Sequence, residues 1–572
     1  MSNIPRTPFT DFEHDRVSQA HRELGRTVVS RNVARILLSF FMIALTLPHI
    51  VQLAVEPTLY SSATGPPQII HDTADNMSWF GQLRASNRSL LQWINTFENT
   101  VVNESAIGKN VRPLVQRAMT RWLAIGNAQV EIGSSGELFY RPDIDHVTGR
   151  GFLSSLHLGQ RELSGSTVEL TPYPDPRPAL ISFRDALAKR DITLIVMPTP
   201  VKPSVDLDHI VEPVNGRPLV ANRSYRRFVN DLKRNETHVF DVHEILSKMK
   251  SESNNALYLK TDTHWRPEAV TRVAVELAQF IEALTDLSRP DFETRFRVTP
   301  TNITNQGDTL SLLGLGPGIS LFPPEMVSID RVATTENRAW EADNNAEVLL
   351  LGDSFTNIYS LAALGWGDSA GLAEQLSVAL GRPVDRLSQN DDGAGAPRRL
   401  LATAIARNAS RLEHTRVVIY QFANRELSQG NWHPVNFPEP TDQPTLALVA
   451  LWSPSPDDVA IVNGTVVSMG NVPHPNTVPY RDHIVALHLT DLEVLSGATP
   501  GERVEALVYA RSMIDNELTE VATYRPGDVV RFRLEPWSSV SGALDGITRG
   551  ELDDANLISA IPWWGVPNPT AQ

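Results

Sequence analysis

The chain has 572 residues, 41% of them hydrophobic and 20% charged, with a formal net charge of −15 at neutral pH. Such a length predicts two or three domains, and such a balance excludes a disordered chain. The acidic surplus argues against nucleic acid as a partner, and the absence of cysteine excludes disulfides, thiolate metal sites and a cysteine nucleophile.

Residues 1–35 read as a polar tail that includes Arg22, Arg26, Arg31 and Arg35. Ile36 to Val55 then runs for 20 residues without a formal charge, enough for a helix to cross about 30 Å of hydrocarbon. Glu56 and Asp72 are the first charges after it, so the positive-inside rule leaves the N-terminus in the cytoplasm and the rest outside. A cleaved signal fits less well behind so long a polar tail, and a buried core helix is the other alternative. Residues 56–75, with Pro57, Gly65, Pro66 and Pro67, read as a linker. From Asn76 to about Arg121, Trp79, Leu83, Leu90, Leu91, Trp93, Ile94 and Phe97 recur at helical spacing, which predicts packed helices. Asp143, Asp145 and His146 form a close acidic and histidine group, for which a solvated loop is the default.

The middle of the chain alternates in type. Helical patterns over Ala179 to Arg190, Tyr225 to Arg234, Pro267 to Leu284, Leu361 to Leu380 and Arg398 to Arg407 alternate with short apolar runs. Those runs are Ile192 to Met197, His238 to Phe240, Glu347 to Leu351 and Val417 to Phe422. Alternation of this kind predicts an α/β layer fold with a mainly parallel sheet. No His-Glu-x-x-His, Gly-x-Gly-x-x-Gly or P-loop pattern occurs, so neither a metal nor a nucleotide cofactor is expected.

Two segments carry the chemistry. In Leu351-Gly352-Asp353-Ser354-Phe355 a serine stands in a glycine turn after an apolar run, so its hydroxyl is expected at the carboxyl end of a sheet, where open α/β folds place ligands. In Thr261-Asp262-Thr263-His264-Trp265 a carboxylate and an imidazole lie two residues apart, in a loop ahead of a helix that Pro267 is suited to start. A serine hydroxyl needs a base within reach and a third group to orient that base, which assigns Ser354 as nucleophile, His264 as base and Asp262 as orienting acid. The blander readings are helix capping for Ser354 and a surface pair or cap for the other two. Asp353 is expected to fix the turn, and Trp265 to pack beneath the loop.

The order is informative, because Asp262 and His264 precede Ser354 by about ninety residues. An Asp-Thr-His-Trp segment upstream of Gly-Asp-Ser-Phe resembles the alginate O-acetyltransferase family of the AlgJ/AlgX type, whose SGNH-hydrolase-like domain is circularly permuted in this sense. Ile132 to Tyr140, Leu194 to Lys202 and Val417 to Glu426 resemble further segments of that family. The resemblance covers roughly residues 75 to 435. It implies an SGNH-like acyltransferase domain at 76–437, a polysaccharide acceptor, and an acetyl donor supplied by a membrane-bound O-acyltransferase.

Around this core, other roles stay open. Gly393 or Gly395 of the Asn390 to Gly395 loop is a candidate oxyanion donor or part of an ordinary turn. Asn424 and Arg425 are candidates for binding an acyl carbonyl or a sugar carboxylate, with an Arg425–acid salt bridge as the rival; Lys202 has similar status. After Pro438 the pattern becomes β-rich, with Thr445 to Trp452, His483 to Leu489, Val504 to Ala510 and Asp528 to Leu534 as strands and Asn463-Gly464 and Pro526-Gly527 among the turns. This domain, 438–572, is expected to be a small sandwich or barrel. Trp452, Trp537, Trp563 and Trp564 are candidate sugar-stacking faces, although a structural or docking module is equally consistent.

The expectation is therefore an SGNH-like α/β domain behind one membrane helix, periplasmic or otherwise extracytoplasmic, and followed by a β-rich domain. It is expected to move an acetyl group through a serine acyl-enzyme onto a secreted polysaccharide. An acetylesterase with the same triad, or a non-catalytic glycan-binding scaffold, are the alternatives.

Overall fold

The computed structural model describes residues 30–55, 90, 94, 105–164, 173–206, 220–253, 255–288, 296–316, 321–390, 393–438, 451–473, 475, 478, 480–499, 505–544, 547–552, 557 and 560–567. The expected tail and linker, most of the helices expected over 76–121, and the first part of the expected strand Thr445 to Trp452 lie outside these residues. Two compact units are present, residues 1–115 and 116–572. In the first, Arg31–Val55 forms a 25-residue helix, starting earlier than the expected Ile36. It is long and apolar enough to cross a membrane, and few of its side chains are buried.

The second unit begins within helix Ala106–Leu123. The short strands β1 (Val130–Ile132) and β2 (Leu138–Tyr140) form a hairpin whose turn uses Gly136 at positive φ, a backbone state that glycine adopts at little cost. Helix Arg141–Thr148 follows directly. The loop expected for Asp143 and His146 is thus corrected: both lie on this helix and are buried.

The central sheet takes β3 (Thr193–Thr199), β4 (His238–Val239), β7 (Val348–Gly352), β8 (Asp385–Ser388) and β9 (Val417–Ala423) in the order β4-β3-β9-β7-β8. Every pairing in it is parallel. Strand period two explains the near-continuous apolar runs, because both faces are covered. Ile195, Met197, Val348, Leu350, Val417 and Ile419 join one core with helices Val242–Glu252, Pro267–Leu284 and Leu372–Leu380. Leu194, Val196, Leu349, Leu351, Val418 and Tyr420 join the other with helices Pro176–Ala188, Tyr225–Arg234 and Ala396–Arg407. The product is a three-layer α/β/α sandwich.

Several parts of this domain differ from expectation, among them strand β8 and helix Val242–Glu252, which were not foreseen. An antiparallel ribbon of β5 (Phe296–Asn305) and β6 (Glu325–Thr334) was not foreseen. The helix expected over Leu361 to Leu380 starts only at Leu372, because Gly365 and Gly367 take positive φ and break the run after a single 3₁₀ turn.

Toward the C-terminus, β10 (Ala460–Met469), β11 (His483–Gly497), β12 (Ala506–Ile514), β14 (Val529–Pro536) and β16 (Trp563–Pro567) pair in a closed ring. Strands β13 (Glu517–Leu518) and β15 (Thr548–Gly550) add to β12 and β11. This is the barrel alternative of the expected sandwich or barrel. Closure leaves its five ring strands no open edge. The reading of its tryptophans as exposed sugar platforms is overturned: Trp452 and Trp563 fill the barrel core, and Trp564 is buried against half-buried Trp537.

Candidate active site

Strand β7 runs apolar to Gly352 and delivers Ser354 as the first residue of the short helix Ser354–Asn357. Gly352 is required here because a Cβ would sit 2.0 Å from Thr356 Oγ1. Asp353 caps the turn: Oδ1 accepts from Phe355 N at 2.9 Å and Oδ2 from Ala423 N at 2.7 Å, tying the turn to the end of β9. Buried Gln421 braces it from beneath, accepting from Asp353 N at 3.0 Å and Thr356 Oγ1 at 2.9 Å while donating to Thr199 Oγ1 on β3 at 3.0 Å. The serine is therefore held by three neighbouring strands.

Asp262 and His264 arrive on the loop before helix Pro267–Leu284, whose proline stands in the first turn. His264 Nε2 lies 2.8 Å from Ser354 Oγ, and Nδ1 lies 2.6 Å from Asp262 Oδ1. His264 N also donates to Asp262 Oδ1 at 3.0 Å, so the two-residue spacing closes a small turn around the acid. The remaining oxygen, Asp262 Oδ2, accepts from Trp366 Nε1 at 2.9 Å and from Asp308 N at 3.1 Å. Trp265 packs beneath the loop and donates to Phe355 O at 3.0 Å, while Tyr359 donates to Trp265 O at 2.7 Å.

Below the loop sits Lys202, fully buried at the end of β3. Its ammonium donates to Leu138 O and Leu259 O at 2.7 Å and to Lys260 O at 2.8 Å, with Asp262 O at 3.3 Å. One cation thus staples the β1–β2 hairpin to the segment that carries Asp262. Burial pushes this ammonium down to about 8, against the pull of Asp206, Asp262 and Asp308.

The electrostatics follow the geometry. Burial alone would lower the His264 pKa, but the Asp262 carboxylate and its hydrogen bond outweigh it, and the imidazole is held above its ordinary 6.5. Burial would raise Asp262, yet the facing imidazole and the donors on both oxygens keep it below the usual carboxylate range. The four donors on Asp262 demand an ionised, acceptor-only carboxylate. Asp262, His264 and Asp308 each offer a ligand-type atom within 4.8 Å of the others. Their own hydrogen bonds already occupy the Asp262 oxygens and His264 Nδ1.

The serine and imidazole face a cavity of about 740 Å³. Tyr140, Arg425 and Gly393 line it from the α/β domain, Arg117 from helix Ala106–Leu123, and Tyr480 and Arg481 from the segment before β11 of the barrel. Arg425 is half-buried over the Tyr140 ring and bonds Asp143 Oδ1 at 3.2 Å, so the ion-pair rival is realised while the residue still faces the cavity. Asn424 is buried behind it and does not line the cavity. Gly395 does not line it either: it precedes helix Ala396–Arg407 and packs beside Arg399, leaving Gly393 as the glycine that faces the cavity. Asp308, Trp366 and Gln421 were not singled out from sequence. A polar Gln421 inside an apolar strand was the one available signal among them.

A family model described as the SGNH hydrolase-like domain of acetyltransferase AlgX matches residues 166–424, a span that contains Asp262, His264 and Ser354. Over that span the chain is similar to the SGNH hydrolase-like domain of acetyltransferase AlgX. The family resemblance drawn from the two motifs is thereby borne out. A curated relative, the probable alginate O-acetylase AlgJ of Pseudomonas aeruginosa, is 30% identical over 134 residues. That match covers 23% of this chain and 32% of the relative, about a third of its length. Two solved structures are similar as well. The O-acetyltransferase domain of Pseudomonas putida AlgJ gives a TM-score of 0.39 at 18% identity, covering 53% of this chain and 93% of that one. Pseudomonas aeruginosa AlgX gives 0.35 at 13% identity, covering 70% and 90%. At these scores the two structures carry no argument, and the similarity rests on the AlgX family model.

Proposed function

We propose that this protein is an extracytoplasmic O-acetyltransferase that passes an acetyl group through Ser354 to a hydroxyl of a polysaccharide. The observation that carries the reading is the unbroken hydrogen-bond chain from Ser354 Oγ through His264 to Asp262, open to a cavity within a domain similar to that of AlgX. Neutral His264 takes the hydroxyl proton as Ser354 Oγ attacks the acetyl carbonyl. The resulting oxyanion lies next to the Ser354 N–H, which has no acceptor among the described residues because it belongs to the first turn of its helix. Collapse breaks the donor ester, and the imidazolium returns its proton to the departing oxygen. A sugar hydroxyl then enters, loses its proton to His264 and attacks the acetyl-serine carbonyl, regenerating Ser354 as the glycan ester leaves.

In this reading helix Arg31–Val55 anchors the chain in a membrane with its N-terminus in the cytoplasm, supported by the preceding arginines. A membrane-bound O-acyltransferase is the proposed source of the acetyl group, which Ser354 receives on the far side. The deciding experiment supplies an acetyl-ester donor with and without acceptor glycan. Acetyl ester on the glycan supports transfer. Free acetate formed at the same rate with or without acceptor makes the protein an esterase, and turnover retained in Ser354→Ala overturns the assignment of the nucleophile.

A further inference from the structure

Asp308 stands where the proposed reaction gives it nothing to do directly. It opens the short helix Asp308–Leu312, just past the end of β5, and its side chain is largely buried. Its Oδ1 accepts from Thr263 N at 2.9 Å, its Oδ2 meets Thr263 Oγ1 at 2.5 Å, and its own N–H donates to Asp262 Oδ2. Oδ2 lies 3.7 Å from His264 Nδ1, on the edge of the ring that Asp262 already faces. Gly307 lets this loop approach so closely, since a Cβ there would lie 2.3 Å from Thr261 O and 2.4 Å from Asp262 Cβ.

We infer that Asp308 is a second acidic positioning residue, which together with Asp262 sets the basicity of the His264 imidazole. The inference rests on the reading of His264 as the base for Ser354. Two carboxylates and one imidazole in a buried space do not titrate independently: a negative charge on Asp308 stabilises the imidazolium, and a proton on Asp308 withdraws that support. Burial and the neighbouring Asp262 charge push Asp308 up to about 7, so it changes state in the range where His264 works. A 2.5 Å separation from the Thr263 hydroxyl suits either state, with the carboxylate accepting or the carboxylic acid donating.

The other charges around the imidazole come from separate elements and are accounted for. Arg425, after β9, opposes protonation of His264, and Asp143 on helix Arg141–Thr148 pairs with that arginine. Lys202 faces Asp262 and Asp308 from below. None of them lies on helix Asp308–Leu312, so the contribution of Asp308 can be removed separately.

The test titrates His264 by NMR in the full chain labelled with ¹³C-histidine, the resonance being assigned by its loss in His264→Gln. Asp308→Asn keeps the volume and discards the charge. Its His264 midpoint is expected to fall by about one pH unit, the scale of a nearby carboxylate, and Asp308→Glu to bring it back toward the wild-type value. Should Asp308→Asn fail to fold, Asp308→Ser, which keeps an uncharged oxygen near the Thr263 N–H, is expected to move the midpoint in the same direction. An unchanged midpoint in a folded variant overturns the inference. The titration requires no turnover, so it answers even if Ser354 never carries an acetyl group, and that separate failure would appear as a wild-type chain that forms no acyl adduct.

Discussion

Replacing Lys202 with methionine should loosen the platform on which Asp262 and His264 are carried. Methionine keeps the length and apolar volume of the lysine stem but supplies no donor. Lys260 O retains the Leu138 N–H at 2.9 Å, whereas Leu138 O and Leu259 O each lose a 2.7 Å charge-assisted bond from the ammonium. A buried acceptor left without its partner costs about 1–3 kcal/mol, giving roughly 2–6 kcal/mol for two. Relief from burying the ammonium offsets part of that, which leaves a net loss of about 2–4 kcal/mol. Urea unfolding followed by tryptophan fluorescence measures the stability. Turnover of a chromogenic acetyl ester measures the site, where a displacement of the imidazole by ~1 Å costs on the order of 10²-fold in rate. A Lys202→Met protein within about 0.5 kcal/mol of wild-type stability, turning over at the wild-type rate, would refute the stapling role.

The rate should also depend on pH in a direction set by His264. Only the neutral imidazole accepts the Ser354 proton, and its pKa is held above 6.5, so activity is lost as pH falls through a midpoint above that value. A pH–rate profile checks this, and a midpoint below about 6 would contradict the close ion pair with Asp262. Trp366→Phe removes one of the four donors to the Asp262 carboxylate and should lower kcat by roughly tenfold with little change in KM. Steady-state kinetics decide it, an unchanged kcat being the contrary result.

Much of the central sheet was legible because a strand covered on both faces must be apolar throughout, and Thr193–Thr199, Val348–Gly352 and Val417–Ala423 read that way. The loop position of Asp262 and His264 was legible through Pro267, which marks the helix start. Asp308 and Trp366 were not legible. Each comes from a segment whose sequence carries no chemical motif, and only the tertiary approach of the β5–β6 ribbon and the 362–367 turn brings them to Asp262. The overlong helix over Leu361 to Leu380 had its warning in Gly365, Gly367 and Gly371. In the barrel, large aromatics close to turns looked exposed, yet a ring of five strands needs such side chains to fill its interior, and Trp452 and Trp563 do so at a centroid separation of 4.4 Å.

The most direct measurement is the mass of the Ser354-containing peptide after brief incubation with an acetyl-ester donor and acid quenching. The account predicts an acetyl adduct on Ser354 in the wild type, and none at the same early time in Ser354→Ala or His264→Ala. An adduct on another side chain, or one that forms at the wild-type rate without the imidazole, would contradict it.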